Sequence, residues 1–292
     1  MLAPVAEPDR PVDVPGTRND GQEARHNRRR AELIAAVPAV LLAIVVLGVA
    51  SGVGAYLPGA IAAVVVGIVV WLVLWRGATR FVLGALGAQV VDDNEVTRTE
   101  VARAENIVDG LCASMGVALP DIAVVDDPTR GALAIGCDPD AAVLVLTSGL
   151  LHVLDPVMLE AVLAHELVHV KRADIASATV AAAVLGPLGR VLPRAPDLVH
   201  KVAGRGREFR TDRLAVSVTR YPPGLRDALV LMAEGPRPAL DSTLSGRGVA
   251  RATRWLWTVA MPEPGDDTAQ DVEVIEDELD AAGVRIAALD EW

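Results

Sequence analysis

The stretch His165-Glu166-Leu167-Val168-His169 sets two imidazoles four residues apart, with a carboxylate beside the first. On a helix, positions i and i+4 lie one above the other on the same face. Both rings then aim at one point, where neutral ring nitrogens bind Zn²⁺ at about 2.0–2.1 Å. Glu166 lies next to the first imidazole. It can reach a water on such an ion and take its proton, because the ion lowers the pKa of that water toward neutrality. The bland reading is a helix with two incidental histidines. It fits poorly in a chain that has only five histidines.

Two imidazoles leave a zinc site incomplete, so a third ligand is expected downstream on another helix. The segment "GRGREFRTDRLAVSVTRYP" at 204–222 offers Glu208 and Asp212, again spaced i, i+4 and sharing a face. Glu208 can complete a His₂Glu set and leave the fourth position for water or substrate. Asp212 can accept a hydrogen bond from the far nitrogen of a ligating histidine and fix its tautomer. Taken alone, this stretch would read as a solvated acidic face among Arg207, Arg210 and Arg213; the upstream histidine pair tips the reading to ligands. Tyr221 and Arg205 are the nearest candidates in sequence for an oxyanion donor.

The elements that must position these groups can be outlined. Asp155 is a natural N-cap and Pro156 suits the first helical position, so the histidine motif is predicted on a strong helix. Residues 92–116 carry Val101, Ile107, Val108, Leu111 and Met115 at helical spacing, and Gly116 ends that helix. Between them lie short β-like runs at 121–126, 132–136 and 142–149, separated by Pro, Gly and Asp turns. Helix, small sheet and metal-type helix in this order argue for an α+β domain. Its expected span is residues 90–262, followed by an acidic linker and C-terminal helix at 263–292.

Residues 33–75 contain no charged side chain. A bilayer core needs about 20 apolar helical residues, so this run suits two spans broken at "SGVGAYLPG". Two transmembrane helices are expected within 31–76, roughly at 32–50 and 59–75. Arg25, Arg28, Arg29 and Arg30 precede the first helix, Arg76 and Arg80 follow the second, and the turn between is uncharged. The positive-inside rule then puts both flanks in the cytoplasm, with Trp71 and Trp75 at the inner interface. Residues 1–30 are expected as a disordered cytoplasmic tail. The chain is a candidate multi-pass cell-membrane protein whose catalytic domain faces the cytoplasm.

Composition excludes other classes. A net charge of −11 over 292 residues disfavours nucleic acid as a partner. Cys112 and Cys137 form no ligand pair and no disulfide framework, and both are expected reduced.

The motifs "GALAIG", "VLVLTSGLL", "LEAVLAHELVHVKRAD", "REFRTDRLA" and "RIAALDEW" make the chain resemble the HtpX-like family of membrane zinc metallopeptidases, relatives of the CAAX prenyl proteases. The resemblance runs from about residue 90 to the C-terminus. It implies a zincin-like domain of gluzincin type, with Zn²⁺ held by His165, His169 and Glu208. It implies Glu166 as catalytic base and acid, and Asp212 as the group that orients His165. Protein or peptide substrates, association with a bilayer and a part in membrane-protein quality control are implied as well. Two departures stand out. This chain reads Gly131-Ala132-Leu133 where the family often has Asn-Ala-Phe, and "DELDAAGVRIAAL" lacks the His-Pro often found before the final helix. They keep open a second reading, a zinc-binding regulatory or scaffold protein without turnover.

The site constrains the rest of the chain. His165, His169 and Glu208 must meet on one side of a membrane, and 38 residues between His169 and Glu208 are too few for two crossings. The apolar run 175–192 is therefore expected to form a helical hairpin that packs on the domain or dips into the inner leaflet. Trp255 and Trp257 are expected to pack in the core or on the surface. A peptide substrate is expected to add as a strand to an exposed sheet edge, with 142–147 as that edge.

Overall fold

The computed structural model describes residues 20–90, 98–192, 194–204, 206–238, 242–245, 248–261 and 281–292. Two long helices lead, α1 (Asp20–Gly52) and α2 (Tyr56–Leu86). Both are long and apolar enough to cross a membrane. They lie side by side as a hairpin, and their shared face is built from small residues. A Cβ on Gly59 would sit 2.2 Å from the Ala50 Cβ, so the two backbones touch where only glycine fits. The faces turned away from this seam expose large apolar side chains such as Val37, Leu41, Ile61 and Val69.

Both helices run past the expected limits. Residues 20–30, expected in the disordered tail, form the first turns of α1. Asn27 Nδ2 donates to the Arg172 carbonyl at 2.9 Å, and Glu23 pairs with Arg172 at 3.3 Å. These contacts hold a polar stretch in helical form that has no apolar stripe of its own. Residues 1–19 lie outside the described residues. The second helix starts at Tyr56 rather than 59, since Pro58 falls in its first turn, where a missing N–H costs nothing. It then continues to Leu86. Its 31 residues span roughly 46 Å, well beyond a bilayer core of about 30 Å.

That excess is core. The sheet comprises β1 (Gln89–Val90), β2 (Asp121–Val125), β3 (Ala132–Ile135) and β4 (Val143–Thr147), in the order β1-β2-β4-β3. Parallel pairing joins β2 to β4, and antiparallel pairing joins β3 to β4 and β1 to β2. Side chains alternate between its faces as the pleat requires. Ala132, Ala134, Leu144 and Leu146 face a cluster built with α3 (Arg98–Met115) and α5 (Pro156–Lys171). Leu133, Ile135, Val143 and Val145 face a second cluster that contains Ala78, Val82 and Leu86 of α2. The end of α2 is thus a structural layer of the soluble domain.

The expected edge strand is corrected by this topology. β4, at 143–147, lies between β2 and β3 and is buried along its whole length; β3 is the outer strand next to it. A run apolar on both faces, Val143-Leu144-Val145-Leu146, marks a central strand.

Between β4 and α5 lies the short α4 (Ser148–Val153), and Asp155 caps α5 by accepting from the Val157 and Met158 amides at 2.9 and 2.8 Å. The run 175–192, expected as a helical hairpin, instead forms one helix, α6 (Ile175–Leu188), which is buried and packs on α1 and α2. Its 14 residues rise roughly 21 Å, too short for a crossing. Then follow α7 (Leu198–Ala203), α8 (Arg207–Thr219), α9 (Pro222–Ala233), α10 (Val249–Thr253) and α11 (Ala282–Asp290). The acidic stretch 263–280 lies outside the described residues. Cys112 and Cys137 are free and buried.

Candidate metal centre

Helix α5 is apolar on nearly every side and buried from Leu159 to Val170 apart from Glu160. It is the central helix of the domain, so His165, Glu166 and His169 are carried into the interior. Helix α8 packs across it with Glu208, Thr211, Asp212 and Ala215 turned inward, one stripe at helical spacing. The five residues expected to form the site therefore meet, and all are buried.

The donor atoms form a small triangle. His165 Nε2 lies 2.9 Å from Glu208 Oε2 and 3.2 Å from His169 Nε2, which is itself 3.2 Å from that same oxygen. Two ligands on a tetrahedral zinc with bonds of about 2.05 Å stand about 3.3 Å apart. The triangle has the size of one face of that tetrahedron. Charge gives a second measure of fit. Glu166, Asp174, Glu208 and Asp212 oppose Arg207 and Arg285, which leaves two negative charges in this group when the imidazoles are neutral. A divalent cation matches that excess. Burying it unmatched would be costly.

Each prospective ligand also has an outer partner. His165 Nδ1 lies 2.8 Å from Asp212 Oδ1, at ion-pair distance. Arg285 grips Asp212 through Nε and Nη2 at 2.6 and 2.8 Å. His169 Nδ1 meets Asp174 Oδ1 at 3.0 Å, and Arg207 donates to that same Oδ1 and to Glu208 Oε1 at 3.1 and 2.7 Å. Burial works against an imidazolium at His165, but the Asp212 and Glu208 carboxylates outweigh it and lift its pKa to about 9. Burial likewise opposes a charged Glu208. His169 and Arg207 reverse that and hold its carboxyl well below the usual range. These shifts describe a cluster in which cationic and anionic groups demand one another.

Glu166 points to the sheet. Its Oε2 accepts from the Ala134 amide at 2.7 Å and its Oε1 from Thr258 Oγ1 at 2.6 Å. Sequence reasoning did not find Asp174, Arg207, Thr258 or Arg285 as site residues. Tyr221, weighed there as an oxyanion donor, begins α9 at the far end of α8 from Glu208 and is exposed; the length of α8 separates them by roughly 20 Å. Arg205 lies outside the described residues. Trp255 and Trp257 are buried, and pack beside the site.

The model of peptidase family M48 matches residues 98–190, a span holding His165 and His169 and ending before Glu208. A protease HtpX homolog from Salinibacter ruber is 30% identical over 193 residues, which cover 57% of this chain and 68% of that relative. The chain belongs to the HtpX-like M48 metallopeptidase family. A protease HtpX homolog from Dictyoglomus thermophilum is 35% identical over 176 residues, 49% of this chain and 58% of the relative. One from Tropheryma whipplei is 30% identical over 190 residues, 54% and 65% of the two chains. This HtpX-like chain thus spans less than two thirds of these last two relatives. No solved structure matches it.

Proposed function

We propose that the chain is a membrane-anchored zinc metalloendopeptidase. His165, His169 and Glu208 would hold the ion, with Asp212 and Asp174 orienting the two imidazoles. Bound there, zinc would supply Lewis acidity to a scissile carbonyl and to the water that attacks it. Glu166 would take the proton from that water at a carboxylate oxygen and return it to the amine as the peptide C–N bond breaks. Arg285 and Arg207 would hold the outer carboxylates in place. The observation that carries this reading is the triangle of His165 Nε2, His169 Nε2 and Glu208 Oε2 with edges of 2.9 to 3.2 Å, beside a glutamate no ligand set requires.

Arginines on both flanks of an uncharged hairpin support two crossings with the peptidase domain in the cytoplasm. Because the domain packs directly on the membrane-capable helices, proteins of that membrane are the natural substrates. Membrane-protein quality control fits that placement.

The test is metal content and turnover on purified full-length protein. About one zinc per chain is expected. Glu166→Gln should keep the zinc and lose about 10²–10⁴-fold in hydrolysis of a membrane-protein substrate. Equal turnover by wild type and variant would rule out the peptidase reading and leave a zinc-binding regulatory or scaffold protein.

A further inference from the structure

We infer that the segment Arg254–Met261 is a gate, and that this structure holds it shut over the substrate edge of the candidate site. The inference rests on the peptidase reading for what the edge receives, and on geometry alone for the closure.

The open side of β3 is defined by its pairing. The Thr147 amide donates to the Gly131 carbonyl, so alternate residues of the strand, 131, 133 and 135, turn their polar groups toward β4. Ala132 and Ala134 turn theirs outward. An added peptide strand would have to bond these groups. Two of them are already taken. The Ala132 carbonyl accepts from the Thr258 amide at 2.9 Å, and the Ala134 amide donates to Glu166 Oε2 at 2.7 Å. Thr258 Oγ1 then ties the other Glu166 oxygen to the same segment. One residue thus covers the strand edge and engages the prospective base.

Packing seals the closure. A Cβ built on Gly131 would lie 2.4 Å from Met261 Cε and 2.7 Å from the Trp257 ring, so glycine here lets the segment settle onto β3. The Trp255 ring lies 5.3 Å from the His200 ring of α7. Arg285 donates to the Thr258 carbonyl from the other side. Ala132 and Ala134 are buried although they lie on an outer strand, and so are His165, Glu166 and His169. The cavity left against Glu208, Thr258 and Arg285 is about 20 Å³. That is room for a single water. Among the described residues, a peptide has no way in until the segment lifts.

The test is a reversible lock in the full-length zinc-loaded protein, with Cys112→Ser and Cys137→Ala removing the native thiols. Ala132→Cys and Thr258→Cys place a thiol on each side of the 2.9 Å amide–carbonyl contact, and free-thiol titration shows whether the disulfide has closed. Two quantities are read in the oxidised and reduced states of the same sample. They are hydrogen exchange across 131–136 and hydrolysis of a quenched fluorogenic extended peptide. Oxidation should slow the exchange and reduction should reverse it; hydrolysis, already lowered because Thr258→Cys removes the hydroxyl that bonds Glu166, should fall at least a further tenfold on oxidation. Equal exchange in the two states would overturn the gate. Exchange that responds while the unsubstituted zinc-loaded protein does not cleave the peptide would keep the gate and sink the peptidase reading. Gly131→Ala serves as an independent wedge. It should speed exchange across 131–136 in an otherwise unaltered chain, and unchanged exchange would count against the closure.

Discussion

His169 depends on a residue that helical spacing does not reveal. Its Nδ1 is held by Asp174, five positions on, because the chain leaves α5 through Ala173 at φ +53° and turns back. A non-glycine residue in the left-handed region is uncommon and marks a turn the surroundings enforce. Asp174→Asn should therefore weaken zinc binding about 10–100-fold, measured by competition with a chromogenic chelator, while the fold persists. Unchanged affinity would remove Asp174 from the site. The same scale offers a probe of packing. Burial pushes the Cys137 thiol up to about 11, with its sulfur 4.0 Å from Thr79 Oγ1 of α2. Cys137 should resist maleimide at pH 7.5 in the folded protein and react on unfolding. Fast labelling in the folded state would contradict the packing of α2 on the sheet.

At the scale of the elements, α2 is a membrane-type helix whose last turns belong to a globular core. Leu86 is fully buried there, and Leu86→Ala should cost about 2–5 kcal/mol, read as a lowered unfolding midpoint in detergent. How much could be read beforehand follows from the same geometry. His165, Glu166, His169, Glu208 and Asp212 were legible because each group obeys one helix period, and Asp155 with Pro156 announced where the first helix starts. Thr258 and Arg285 were not, since they reach the site from segments 92 and 73 positions away from their partners Glu166 and Asp212, and nothing periodic links them. The sheet edge was misjudged because strand order depends on pairing between distant segments. The uniformly apolar β4 did carry the sign of a central strand. Residues 20–30 were misjudged because polar helix without an apolar stripe resembles tail until its partner Arg172, just past the end of α5, is known.

The whole molecule cannot be divided at the membrane surface. Removing the hairpin would take Ala78, Val82 and Leu86 out of the cluster that holds Leu133, Ile135, Val143 and Val145, and would bare the flank of α6 that packs on α1 and α2. A fragment starting at residue 90 should therefore aggregate or lack a cooperative melt, by calorimetry or near-ultraviolet dichroism. A monodisperse, cooperatively melting fragment would disprove that dependence. The unbroken run of α2 has a mechanical corollary. A rod that packs against the sheet without a break would fix how high a cleavage point rides above the lipid. It would act as a ruler, selecting among chains by how far their vulnerable stretch emerges as well as by its side chains.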